Sequence, residues 1–115
     1  MPGRSVAAAE RGATRIADRV VAKIASRAAR EALGAVPPDG DAPHATVAVH
    51  QHRARVRISL DLDYPTDIGA RCRAVRRRVT QRVEALAGMT VPEVIVLVER
   101  LHPAGTRGTG QGRTR

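Results

Sequence analysis

Apolar residues recur at Ile68, Cys72, Val75, Val79, Val83 and Leu86, in steps of four, three, four, four and three. That spacing is one stripe of an amphipathic helix. Gly88 stops it, because glycine enters the left-handed cap without a Cβ penalty. The β-branched run from Val91 to Leu101 that follows reads as a strand, with Val94, Val96 and Val98 turned to the core and Ile95 and Leu97 turned away. Nearer the start, Ile16, Val20, Val21, Ile24, Ala28 and Leu33 trace a first helix that ends near Gly34, ahead of Pro37-Pro38. Two alternating stretches lie between the helices. Ala45–His50 is one, and Arg53–Asp63 is the other, with Val56, Ile58, Leu60 and Leu62 inward. Together they read as a half-buried antiparallel hairpin. Tyr64-Pro65 breaks the second strand, Thr66 is the expected N-cap, and Asp67 falls in the first helical turn, where the helix dipole favours negative charge.

The order helix, strand, strand, helix, strand predicts a two-layer α+β domain with a three-stranded sheet. Strands about 4.8 Å apart make such a sheet narrower than two helices of about 10 Å diameter, so both helices belong on one face. The opposite face is left bare. Thr46, His50, Arg55, Arg57, Ser59, Asp61 and Asp63 would make it polar on the first two strands, and Ile95 and Leu97 would make it apolar on the last. These two residues are the candidate protein contact. Residues 1–12 lack periodicity and are expected to be disordered, residues 13–102 form the domain, and residues 103–115 form a disordered Gly/Arg tail.

A chain of 115 residues is long enough for one core and too short for two. Phe and Trp are absent and Tyr64 is the only aromatic residue, so that core is aliphatic and no stacking platform for nucleic-acid bases exists. A single cysteine, Cys72, cannot form an internal disulfide, and its place on the apolar stripe predicts a buried thiol. A reducing, cytoplasmic setting fits, with no signal peptide and no membrane span. The net charge of +9 is carried almost wholly by arginine, Lys23 being the only lysine. Such a balance attracts anions without naming one.

Catalytic and metal-binding patterns are missing. His50 and His52 form a His-x-His at a turn with no third ligand in register, and they read as exposed turn residues. Asp61 and Asp63 share a strand face, as paired catalytic carboxylates do, but beside Arg55 and Arg57 they read as cross-strand charge partners. Ser5, Ser26 and Ser59 lack a glycine elbow or a positioned histidine, and no phosphate-cradling glycine loop occurs. No enzyme, cofactor or metal is expected. Arg71, Arg73, Arg76, Arg77, Arg78 and Arg82 make the second helix basic and are the candidate anion contacts. They raise the alternative of a KH-like RNA or nucleic-acid binding module, which has a related element order. Such a module clamps the backbone with a Gly-x-x-Gly loop between two helices, whereas Asp67-Ile-Gly-Ala-Arg71 offers one glycine inside one helix. Nucleic acid is therefore not the expected partner.

Taken together, Ile16-Ala-Asp-Arg-Val-Val-Ala-Lys-Ile-Ala25, the stop at Gly34-Ala-Val36, the alternating hairpin, Tyr64 before the second helix, and Leu86-Ala-Gly-Met-Thr-Val-Pro-Glu-Val-Ile-Val-Leu-Val98 resemble the alkaline shock protein family of envelope stress response proteins from Gram-positive bacteria. The likeness spans about residues 12 to 102. It implies a small non-enzymatic scaffold or adaptor in the cytoplasm, peripheral at the inner face of the cell membrane. Its implied partners are copies of itself, as a homo-oligomer, and a separate membrane-anchor protein. Ile95 and Leu97 stand where the family's last strand usually turns polar residues outward.

Overall fold

The structure, a computed structural model, describes residues 2–34 and 36–103, with side chains from residue 17 onward. Its elements are α1 (Pro2–Leu33), β1 (His44–His50), β2 (Arg53–Tyr64), α2 (Ile68–Ala87) and β3 (Thr90–Pro103), the expected order. The strands form one mixed sheet with β2 in the centre. β1 pairs with β2 antiparallel, from His44 opposite Ser59 to His50 opposite Arg53. β3 pairs with β2 parallel, because α2 carries the chain back to the end of the sheet where β2 began.

Both helices lie on one face. Val21, Ala25, Ala28, Ala29 and Leu33 of α1 meet Val75, Val79 and Val83 of α2 over Val56, Ile58, Leu60 and Leu62 of β2. Alanine is what α1 offers at three of those sites, and its small side chain lets the helix approach both sheet and partner closely. Val94, Val96 and Val98 pack against this core as expected. Cys72 is a half-buried free thiol rather than a fully buried one.

Several boundaries differ from the pattern. α1 starts at Pro2, so its backbone runs through the segment expected to be disordered. Proline suits a first helical position, and the alanine-rich stretch after it has high helix propensity although it shows no apolar stripe. The tail from residue 104 lies outside the described residues. Asp67, not Thr66, caps α2, its carboxylate accepting the Ala70 N–H at 3.0 Å. A carboxylate there satisfies an orphan helix donor and sits at the positive end of the dipole, so it outcompetes a hydroxyl. Gly34 and Gly88 close the two helices at φ 83° and 66°.

The hairpin turn is Gln51-His52, with both residues at positive φ (51° and 63°). Two such residues are the signature of the tight turn whose twist matches the strands, a place where Asn-Gly is usual. His52 then bridges to the third strand. Its carbonyl accepts the Thr90 N–H at 3.0 Å, which ties the hairpin to the start of β3.

Candidate protein-contact site

β3 is the outer strand on its side of the sheet, and its register against β2 slips twice. One slip lies between the pairs Arg53–Thr90 and Arg55–Glu93, where β3 holds an extra residue around Pro92. Proline has no N–H to give to a ladder, so a bulge on an edge strand is where it does least harm. The second slip follows Leu60–Val98 and skips Glu99. Between the two bulges the run from Glu93 to Val98 is regular. There the pleat turns Val94, Val96 and Val98 to the helices and Ile95 and Leu97 to the open face.

Ile95 is 36% exposed and Leu97 41% exposed, in accord with the outward orientation expected of them. By register Ile95 lies beside Arg57 and Leu97 beside Ser59, with Glu93 beside Arg55. On β1, Thr46 and Ala48 stand opposite Arg57 and Arg55. The result is a short apolar strip at one border of the sheet, flanked inward by two exposed arginines. A shallow hollow of about 340 Å³ lies against it, lined in part by Thr46, Ala48, Arg55, Glu93 and Ile95.

The two borders of the sheet are not alike. On β1 the Val49 N–H, which points away from β2, donates to Asp18 Oδ1 of α1 at 3.0 Å. The helix thus takes up a backbone group that another strand would need. Among the described residues β3 pairs with β2 and with no other strand.

Asp61 corrects an expectation. The strand alternation places it on the solvated face as a charge partner of Arg55 and Arg57, yet it is only 4% exposed. The loop between α1 and β1 folds over that end of the outer face. Asp61 Oδ2 accepts the Asp41 N–H at 3.1 Å and lies 2.9 Å from His102 Nε2. Gly40 makes the fit possible: a Cβ there would stand 3.2 Å from both Asp61 Oδ2 and His102 Nε2 and 3.1 Å from the Pro37 Cβ. Burial pushes the Asp61 carboxyl up, but the His102 and Asp41 hydrogen bonds and the charges of His102 and Arg100 outweigh it, leaving the group below the ordinary aspartate range. The clasp fastens the loop to β2 and β3. Asp41, Ser59 and Glu99 line a hollow beside Asp61, and the hydrogen bonds that Asp61 makes are the ones that hold the loop in place.

The six α2 arginines do not share a face. Arg71 Nη2 donates to the Leu33 carbonyl at the end of α1 at 3.0 Å, satisfying a helix C-terminus with positive charge. Arg78 and Arg82 reach Glu31 of α1 at 3.2 and 3.3 Å. These pairs are exposed and contribute at most about 1 kcal/mol each. Arg73, Arg76 and Arg77 face solvent on the other side. Three of the six thus bind α1, and three remain for anions. His50 and His52 are exposed, and no group of three metal-ligating residues occurs among the described residues.

α2 leads through Gly88 into β3 with no second helix between them. The clamp loop of a KH-type module therefore has no place here. No helix among the described residues is long and apolar enough to cross a membrane.

His102, Gly40 and Asp41 escaped the sequence reading because the contact joins a loop, a strand middle and a strand end, and nothing in local spacing marks it. No family model, curated protein or solved structure matches this chain.

Proposed function

We propose that this protein is a non-enzymatic scaffold or adaptor that works by self-association through β3 and by binding a membrane-anchored partner. The observation that carries the reading is the exposed Ile95–Leu97 strip on the strand that closes one side of the sheet. Two apolar side chains and an edge ladder in the same place favour pairing with another chain. The setting, envelope stress response at the cytoplasmic side of the membrane, comes from the resemblance to the alkaline shock family. No residue is given a catalytic role.

Complete burial of an aliphatic side chain contributes roughly 1.5–3 kcal/mol. Ile95 and Leu97 are already more than half covered, so sealing the pair adds about 1–2 kcal/mol to the backbone bonds of an added strand. The test compares Ile95→Asp with Leu97→Lys against Val96→Asp, by light scattering and thermal melting. The outward double variant should stay folded and scatter as a smaller particle. Val96→Asp should lower the melting temperature sharply, because it puts a charge against the core. A double variant that unfolds, or that keeps the mass and partner binding of the parent, refutes the role of the strip.

A further inference from the structure

Val20 and Leu86 belong to the apolar stripes of their helices, yet Val20 is 50% and Leu86 64% exposed. They face one another across a groove of about 280 Å³ between α1 and α2, on the side of the helical layer away from the sheet. Ile24, one turn after Val20, forms its floor, and Lys23, Arg27 and Arg82 stand on its rim. The space falls just short of the roughly 300–1,000 Å³ of small-molecule pockets. It suits one or two apolar side chains presented by a helix, the arrangement in which anchors one turn apart enter a groove.

Charge decides what such a helix must be. Glu31 is the acidic residue of the rim, and it is held by Arg78 and Arg82. Lys23 and Arg27 have no carboxylate within ion-pair distance among the described residues. The rim is therefore net cationic. A second copy of a chain carrying +9 is repelled there, and so is any basic helix.

We infer that the α1–α2 groove is the docking site for an amphipathic helix of a partner protein, one with apolar anchors a turn apart flanked by Asp or Glu. This deepens the adaptor reading by giving the partner a surface distinct from β3. The groove holds the anchors, and Lys23 and Arg27 set orientation and discriminate against basic helices.

The test selects a displayed library of short helical peptides against the whole protein and measures the winners by fluorescence anisotropy. Selected peptides should carry acidic residues beside apolar anchors, and Leu86→Asp should weaken them at least tenfold. Lys23→Glu with Arg27→Glu should do the same, and changing the peptide's Glu residues to Lys should restore binding to that variant. Light scattering of the same variants should show unchanged self-association, so a failure here is distinguishable from a failure of the β3 contact. The proposal is overturned if nothing is enriched, if the winners lack acidic flanks, or if they bind Leu86→Asp equally. It is also overturned if phosphatidylglycerol vesicles, rather than peptides, bind in a manner that Leu86→Asp abolishes.

Discussion

Asp61 concentrates more structure than any other polar side chain described. A buried carboxylate is tolerable only when its lone pairs are filled, and here one oxygen serves both a loop N–H and a histidine ring. Its folded-state affinity for protons is lowered, so the unfolded chain binds protons at Asp61 more readily than the folded one. The stability it contributes is complete above about pH 4, the ordinary aspartate value, and is lost as pH falls through the lower folded value. Thermal melts between pH 6 and pH 3 should show the parent losing stability more steeply below pH 4 than Asp61→Asn, whose amide does not titrate. Equal slopes would mean that Asp61 does not govern the acid limb. His102 belongs to the same contact, although the last strand was expected to end at Leu101 and a histidine beside a Gly/Arg tail gives no hint of a distant carboxylate.

At the scale of elements, periodicity was a good guide to existence and face, and a poor guide to depth. The α2 stripe from Ile68 to Leu86 is a true helical stripe, but only Val75, Val79 and Val83 in its middle are buried. Ile68 and Leu86, at its two ends, are exposed. The same holds on α1, where Val20 lies at the stripe's margin and Ala25 and Ala29, overlooked for their small size, are fully buried. Turn chemistry was the other gap. Gln51-His52 adopts a conformation in which non-glycine residues are uncommon, so composition did not announce it. Left-handed backbone costs such residues roughly 1–2 kcal/mol each. Gln51→Asn with His52→Gly should therefore raise stability by about 1–2 kcal/mol, readable as a higher denaturant midpoint at unchanged slope. A fall in the midpoint would show that the two side chains stabilise the turn in some other way.

The whole molecule carries its positive charge on several surfaces. Arg55 and Arg57 look outward from the sheet, Arg73, Arg76 and Arg77 from α2, and Arg27 from the groove between the helices. No loop among the described residues clamps a nucleic-acid backbone, and Tyr64, the sole aromatic residue, stands alone. Binding to single-stranded RNA or duplex DNA should thus be weak, indifferent to sequence and lost between low and physiological ionic strength. Sequence-selective binding that survives physiological salt would revive the KH-like alternative.

The Asp18–Val49 hydrogen bond has a consequence for how large an assembly can grow. A sheet with two open borders polymerises, since each added molecule presents a fresh border to the next. Here α1 holds one backbone N–H of the β1 border, so a strand pairing there across Val49 would have to displace the Asp18 carboxylate. The other border lies on β3, and two molecules pairing there edge to edge would use both of their open ladders at once. Under the proposed self-association, strand addition at β3 would favour a symmetric pair over an open chain of molecules.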